Sequence, residues 1–204
     1  MYKHIIWDFD GTLFDTYPVM AGVFRDLLRE IGIEEPLSEI EKQMRISKSS
    51  AFKYYEEKYH IGKDFLEKYQ KLRKEIEFKL SRPFEKIVDV CEYIYSSKRK
   101  NYLYTHRGES SVELLKIYGI YDYFTDFITS QQGFKRKPSP EAINFLIEKY
   151  NMIPSEVIMI GDRDLDLLSA KNAGVSACFF TKTGKTNTNA DYIINNFSQL
   201  ISIL

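Results

Sequence analysis

The sequence of 204 residues is poor in cysteine. It contains only Cys91 and Cys178, and these two show neither a CxxC spacing nor the spacing of metal ligands. A disulfide framework is therefore excluded, and both thiols are expected to be reduced core residues of a cytosolic protein. Disulfides are also unnecessary here, because a domain of this length buries roughly 70% of the surface of its unfolded chain.

The chain likewise lacks an excess charge, a long apolar run and an internal repeat. Lys plus Arg number 29 and Asp plus Glu number 29, so the formal net charge is zero. This balance gives no electrostatic argument for a nucleic acid or an anionic membrane as partner. No apolar run approaches the length of a membrane span, and the segment before Asp8 is too short for a secretory signal. We expect a cytoplasmic protein without nucleic-acid or membrane partners, and the sequence leaves its oligomeric state open.

What the sequence does contain is an apolar run that ends abruptly in carboxylates, in the segment 5–12, IIWDFDGT. Three consecutive apolar residues favour a strand that is buried on both faces, as in a parallel sheet. Strand alternation puts Asp8 and Asp10 on the same side at the outset. Neighbouring carboxylates repel unless a cation or a shared proton relieves them. The pair therefore indicates a divalent metal, although a solvated loop or a helix cap can carry the same letters.

Residues 17–82 show several helical patterns and no convincing strand. Ser38 begins a capping-box pattern, which predicts the start of a second helix, and a polar break at 47–50 precedes a third. The block ends before Pro83, because a residue that precedes proline is disfavoured in the helical region. We predict a small helical domain at 16–82, inserted after the first strand into a core of 1–15 and 83–204. Its many aromatic residues are interpreted as its own core.

From residue 84 onward, helical patterns alternate with short apolar strands. This alternation predicts an α/β fold with a doubly wound parallel sheet, as in a Rossmann-like core. Ligands of such sheets bind outside the carboxyl ends of the strands. A glycine-rich nucleotide loop would be expected after the first strand of a nucleotide-binding domain. Gly11 stands alone there, which argues against that class.

Four polar clusters follow strand candidates or lie in the loop beyond one. They are DFDGT at 8–12, THR at 105–107, KPSP at 137–140 and GDRDLD at 161–166. In this order, the clusters resemble the motifs of the haloacid dehalogenase-like hydrolases, specifically the phosphoglycolate phosphatase-like branch with a helical cap. That family shows DxDGT, a strand ending in Thr or Ser, a Lys often within KPxP, and GDxxxD. The resemblance covers nearly the whole chain.

The resemblance implies a phosphatase that acts through an aspartyl-phosphate. Asp8 matches the family's nucleophile, and Asp10 matches the general acid/base. Thr105 would hydrogen-bond a phosphoryl oxygen, and Lys137 would neutralise the charge of the transferred group. Taken without the resemblance, Lys137 could be a solvated loop lysine, although the prolines that follow it favour a role in the site.

The resemblance also implies Mg²⁺ as cofactor, which suits a site built from oxygen ligands. Its ligands would be the Asp8 carboxylate, the Asp10 backbone carbonyl and Asp162, with Asp166 holding metal-bound water or Lys137. Further substrate contacts are expected in the loops that follow the first two strands, at Gly11, Thr12, His106 and Arg107.

Three of the polar residues carry a second interpretation. His106 could be a packed histidine, and Arg107 could form a salt bridge instead of contacting substrate. Asp164 breaks the spacing of the family motif, and an acid at the start of a helix is its simpler interpretation.

Several functions compete within this family. The second aspartate, Asp10, argues against haloacid dehalogenases and phosphonoacetaldehyde hydrolases, which depart from the motif there. A β-phosphoglucomutase-like enzyme uses the same two aspartates and stays open. A non-catalytic member that binds a phosphorylated ligand is disfavoured, because the charged motif residues are all present. The expected substrate is a small phosphorylated metabolite such as phosphoglycolate. Residues Arg45, Lys48 and Ser49, near a break between cap helices, are candidates for its selection.

Overall fold

The computed structural model describes all 204 residues, and the chain divides into two compact units. The α/β unit comprises Met1–Phe14 and Pro83–Leu204, and the helical unit comprises Asp15–Arg82. The boundary expected from the sequence lay one residue later, at 15/16.

Six strands form one parallel sheet in the order β3-β2-β1-β4-β5-β6. They are β1 His4–Trp7, β2 Lys100–Tyr104, β3 Phe124–Ile128, β4 Val157–Gly161, β5 Ser176–Phe180 and β6 Tyr192–Ile194. The chain leaves β1 to build one half of the sheet through β2 and returns to its other side with β4. The carboxyl end of β1 is therefore the switch point at which ligands of doubly wound sheets bind. This order confirms the predicted α/β fold.

Nine α-helices accompany the sheet. They are α1 Tyr17–Glu30, α2 Leu37–Ile46, α3 Lys48–Tyr59, α4 Lys63–Leu80, α5 Ile87–Ser96, α6 Ser110–Ile117, α7 Glu141–Lys149, α8 Asp164–Asn172 and α9 Leu200–Ile203. None of them combines the length and the apolarity that a membrane-spanning segment requires. The short α9 has no counterpart in the sequence patterns considered above.

Helices cover the sheet on both faces. On one face, apolar residues of α7 and α8, such as Leu146 and Leu167, belong to one buried cluster with Ile6 of β1 and Met159 of β4. On the other face, the indole nitrogen of Trp7 donates to Asn101 Oδ1 at 2.9 Å, and Asn101 Nδ2 donates to the carbonyl of Cys91 in α5 at 3.1 Å. The central strands β1 and β4 are thus buried on both sides, as their continuous apolar runs indicated.

The helical unit has a core of its own, built by α1 to α4 around aromatic rings. The ring of Phe24 lies 5.1 Å from those of Tyr55 and Phe65 and 5.3 Å from that of Tyr69, centroid to centroid. Such edge-to-face and tilted ring pairs stabilise a core beyond the area that they bury. The aromatic residues of this unit therefore pack against one another.

Two details of the helical unit correct the sequence prediction. Ser38 is not a helix cap: α2 begins one residue earlier, and the carbonyl of Pro36 accepts the N–H groups of Glu39 at 3.1 Å and Ile40 at 3.3 Å. Of the predicted polar break at 47–50, only Ser47 lies between the two helices, because α3 already begins at Lys48. Its hydroxyl accepts the N–H of Ser50 at 2.9 Å and so caps α3 directly.

Candidate active site

A tight turn at the end of β1 presents the first motif. The N–H of Asp8 donates to the Ile160 carbonyl at 2.9 Å, which extends the pairing of β1 with β4 by one residue. The chain then folds back, with the Phe14 N–H on the Phe9 carbonyl at 3.0 Å and the Gly11 N–H on the Phe14 carbonyl at 2.8 Å. Gly11 has a φ of 79°, which a residue without Cβ adopts at little cost. The aspartates are thereby held at the switch point.

Lys137 is buried in the middle of the site. Its ammonium donates to Asp8 Oδ1 at 2.7 Å, to Asp166 Oδ1 at 2.8 Å and to the carbonyl of Tyr104 at 2.9 Å. It also lies 4.4 Å from the centroid of the Tyr104 ring. The side chain is 0% exposed, so the alternative of a solvated loop lysine is wrong. The turn after β1, the last residue of β2 and the first turn of α8 thus meet at this one cation.

The second carboxylate partner of Lys137 depends on a glycine. Asp166 Oδ2 accepts the N–H of Arg163 at 3.2 Å in the first turn of α8. A Cβ on Gly161 would lie 2.2 Å from the Cβ of Asp166, well inside van der Waals contact. Only glycine at the end of β4 lets α8 begin this close to the strand. The Gly-Asp opening of the fourth motif thus has a packing reason as well as a chemical one.

The pKa values of the two carboxylates that share Lys137 are shifted in opposite directions. Burial, followed by the charge of Asp166, raises the pKa of Asp8 above its ordinary value. Burial acts in the same sense on Asp166, but the positive charges of Lys137 and Arg163 outweigh it and lower the pKa of Asp166. Burial likewise opposes the charged form of Lys137, yet Asp166 and Asp8 raise its pKa. A charge triad of this kind stays buried only while its members remain paired.

Asp10 forms a second buried ion pair. Arg107 Nη1 donates to Asp10 Oδ1 at 2.7 Å, and Arg107 Nη2 donates to Ser110 Oγ at 3.2 Å. The guanidinium lies 5.1 Å from the centroid of the buried Phe9 ring. Arg107 is therefore a salt-bridging residue of the site, which was one of its two interpretations from sequence.

The remaining residues of the second motif are also engaged. Thr105 is 3% exposed, and its hydroxyl accepts the N–H of Arg107 at 3.1 Å. The Nε2 atom of His106 accepts the backbone N–H of Lys137 at 2.9 Å. Burial, reinforced by the charges of Lys137 and Arg136, lowers the pKa of His106 to about 3. His106 is therefore neutral at physiological pH, and only its Nδ1 side is left for a ligand.

The carboxylates also form a group that can hold a metal ion. One oxygen each of Asp8, Asp162 and Asp166 lie within 4.8 Å of one another. Asp8 Oδ2 is buried without a hydrogen bond, and Arg163 Nη2 lies 3.9 Å from it. A hard divalent cation that prefers oxygen ligands, such as Mg²⁺, fits this donor set. Asp164 points elsewhere, since its Oδ1 accepts the side-chain amide of Asn187 at 2.8 Å.

The structure thus brings the residues that the sequence predicts for catalysis and metal binding to the carboxyl end of β1 and its neighbours. The Thr12 hydroxyl lies there as well, buried without a hydrogen bond. Sequence reasoning missed two contributors, Tyr104 and Arg163. Arg163 lies inside the fourth motif, so its charge was a usable signal. Tyr104 contributes its backbone carbonyl and its ring face, and no sequence pattern marks a carbonyl.

A doubly wound sheet with a buried Asp-Lys-Asp cluster at its switch point is a Rossmann-like core whose carboxylates could hold a cation. The family model for haloacid dehalogenase-like hydrolases matches residues 5–180. The chain belongs to this family, which confirms the resemblance found in its motifs and makes the protein a hydrolase.

Relatives of known name agree with this assignment. A phosphoglycolate phosphatase of Vibrio vulnificus is 25% identical over 219 residues, covering 99% of this chain and 96% of that protein. A candidate pyrophosphatase of Clostridium perfringens is 29% identical over 181 residues, covering 87% of this chain and 83% of its own. The crystal structure of a hydrolase from Streptococcus pneumoniae matches with a TM-score of 0.72 at 31% identity and covers 98% of both chains.

Proposed function

We propose that this protein is a Mg²⁺-dependent phosphatase that hydrolyses a small phosphate monoester through an aspartyl-phosphate on Asp8. The observation that carries the proposal is the environment of Asp8. One of its buried oxygens is bound by the Lys137 ammonium, and the other accepts no hydrogen bond. The first contact holds the carboxylate in a fixed orientation. The second oxygen, which no hydrogen-bond donor occupies, can then act as the nucleophile.

In the first half-reaction, the Asp8 carboxylate attacks phosphorus, and the bond to the leaving alcohol oxygen breaks. Asp10 enters this step protonated. Its Oδ1 stays with Arg107 Nη1, and the proton on its other oxygen, Oδ2, passes to the leaving oxygen. Lys137 and the Thr105 hydroxyl stabilise the negative charge of the transferred group. The Asp8 and Asp162 carboxylates and the Asp10 carbonyl would hold Mg²⁺, which when bound would supply further positive charge to the phosphoryl group. Arg107 keeps the Asp10 carboxylate in place.

In the second half-reaction, water attacks the phosphorus of the aspartyl-phosphate, and the bond between phosphorus and the Asp8 oxygen breaks. Asp10 takes a proton from this water and so returns to its starting state. Inorganic phosphate leaves, and Asp8 is regenerated as a carboxylate. One aspartate thus serves as acid and then as base within a single turnover.

The helical unit is assigned to substrate selection, because it is inserted in the chain directly after the turn that carries the two aspartates. Within it, Arg45 and Lys48 at the junction of α2 and α3 are the candidate contacts. Exchange of either for Ala is expected to reorder preferences among substrates. The matched control is Lys53→Ala, which changes an exposed lysine of α3. An unchanged ranking in both cap variants would place selection in the α/β unit.

The decisive experiment is a panel of phosphate monoesters with Mg²⁺, ranked by kcat/KM. It should include phosphoglycolate and pyrophosphate, because relatives of the chain carry those names, and also sugar phosphates. Release of inorganic phosphate that is lost with Asp8→Asn supports the proposal. Isomerisation of a sugar phosphate without release of phosphate would indicate a mutase. Absence of turnover for every compound would contradict a phosphatase.

A further inference from the structure

We propose that His106 is a positioning residue that acts through Lys137. It holds the backbone of Lys137 so that the ammonium of this lysine lies between Asp8 and Asp166. The inference rests on the proposed function, in which Lys137 assists phosphoryl transfer, and it assigns a role to a side chain that the reaction itself does not need.

The end of β2 holds Lys137 at both ends of its side chain. At the backbone, His106 Nε2 accepts the Lys137 N–H at 2.9 Å. At the ammonium, the carbonyl of Tyr104 accepts a hydrogen bond, also at 2.9 Å. The two acceptors belong to Tyr104 and His106, which are only two residues apart in the chain. Their rings lie edge to face, with centroids 6.2 Å apart. The flexible lysine is thus fixed at its root and at its tip.

Such fixation has a clear physical purpose. A lysine side chain loses much rotamer freedom when it is fixed, and Lys137 lies in the loop before α7, outside any helix or strand. Other hydrogen bonds of this loop hold the neighbours of Lys137. The Lys135 N–H donates to Glu141 Oε2 at 2.9 Å, and the Asn172 amide donates to the Pro138 carbonyl at 2.9 Å. Without the His106 bond, the backbone N–H of Lys137 would lose its hydrogen-bond acceptor. The ammonium would then spend less time between its two carboxylates.

The hydrogen bond from the Lys137 N–H also determines the protonation and the tautomer of the His106 imidazole. An Nε2 atom that accepts a hydrogen bond carries no proton, so the proton of the neutral ring is on Nδ1. An imidazolium has no acceptor and could not hold the Lys137 N–H. His106 in this arrangement is therefore neither a cation for phosphate nor a donor through Nε2.

Three substitutions of His106 test whether its role depends on the hydrogen-bond acceptor Nε2 or on the shape of the ring. In His106→Gln, the amide oxygen can take the place of Nε2. The shorter His106→Asn should fall short of the Lys137 N–H, and His106→Phe keeps a ring without an acceptor. We expect His106→Gln to retain kcat within a few-fold. The other two variants should lose about 10–100-fold in kcat with little change in KM, as expected when a reacting group is displaced by about an ångström.

A double-mutant cycle with Lys137→Ala decides whether the effect passes through Lys137. If His106 acts only by positioning the lysine, His106→Phe should cost less than about twofold in the Lys137→Ala background, because coupled residues are not additive. Equal losses in both backgrounds would overturn the inference, and so would a fully active His106→Phe enzyme.

A second readout does not depend on activity. The buried, hydrogen-bonded ammonium of Lys137 should give a slowly exchanging ¹H–¹⁵N signal in the wild type and in His106→Gln, and this signal should disappear in His106→Phe. Its persistence in His106→Phe would refute positioning even if no substrate were found. Conversely, a wild type that is inactive on every phosphate ester but shows the expected signals would contradict the phosphatase proposal alone.

Discussion

Both units of this protein bury carboxylates, but they pair them in different ways. In the helical unit, Glu35 accepts hydrogen bonds from Tyr55 and Tyr59 and from Lys58 Nζ at 2.9 Å. Its partners lie 20 to 24 residues away in the chain. In the α/β unit, Asp8 meets Lys137 across 129 residues, shares its ammonium with Asp166, and keeps one oxygen without a hydrogen bond.

The difference appears in the pKa values. Burial opposes ionisation of Glu35, but the hydrogen bonds from Tyr59 and Lys58 prevail and lower its pKa. The pKa of Asp8 is raised, because burial and Asp166 outweigh the nearby cations. A lowered carboxyl pKa means that ionisation stabilises the fold, and a raised one means the opposite. Glu35 therefore contributes to stability, whereas Asp8 is maintained at a cost to stability, as is common in functional sites.

The largest expected effect is on turnover in Asp8→Asn. The amide is a poor nucleophile and a weaker ligand, so kcat should fall by about 10⁴-fold or more. The melting temperature of the metal-free variant should stay close to that of the wild type. Removal of a buried charge with a raised pKa is opposed by the loss of one carboxylate partner of Lys137, which keeps Asp166. Calorimetry beside steady-state kinetics measures both quantities. A clear loss of stability would contradict this account of Asp8.

Asp10→Asn should have the next largest effect, since the variant keeps the nucleophile but loses the proton transfer. The rate should drop by about 10²–10⁴-fold for alkyl phosphates. p-Nitrophenyl phosphate should lose less, because its leaving group departs without a proton. The comparison of the two substrates is the measurement. Turnover of an alkyl phosphate at the wild-type rate would rule out the acid/base role.

Mg²⁺ binding should depend on pH in a direction set by Asp8. Its raised pKa means that the carboxyl becomes protonated as pH falls, and the metal must then displace this proton. Affinity should therefore weaken toward acid pH, by up to about tenfold per pH unit below that pKa. Isothermal titration in buffers of different ionisation enthalpy measures the proton released. Asp8→Asn is the matched control and should show a flatter dependence.

The smallest effect is expected for Glu35→Gln, which should leave kcat unchanged. It should lower the free energy of unfolding by about 1–3 kcal/mol at pH 7, since the buried Tyr55 and the half-buried Tyr59 lose a charged acceptor. A lowered folded-state pKa gives stability that is present above the unfolded-state pKa and lost as pH falls through the folded-state value. The difference from wild type should therefore shrink in acid. Glu57→Gln, an exposed change in α3, should have almost no effect, and a similar loss there would refute this contrast between the units.

Much of the architecture followed from the sequence alone. The alternation of strand and helix patterns predicted the doubly wound sheet, because periodicity records which faces are buried. The polar residues that end the strands converge for the same reason, since the carboxyl ends of parallel strands meet at one edge. Local hydrogen bonding was less predictable. Ser38 had the letters of a cap, but the carbonyl of Pro36 starts the helix.

Only the tertiary structure decided how the site residues pair. Nothing in the sequence linked Arg107 to Asp10, His106 to the backbone of Lys137, or Gly161 to the space that Asp166 needs. These pairs depend on backbone positions that are set by strand order, by loop paths and by van der Waals limits between segments far apart in the chain. The sequence by itself determined which groups reach the edge of the sheet, because that depends on local periodicity. Which donor meets which acceptor there depends on distances of a few tenths of an ångström, and those are fixed only when the whole unit is packed.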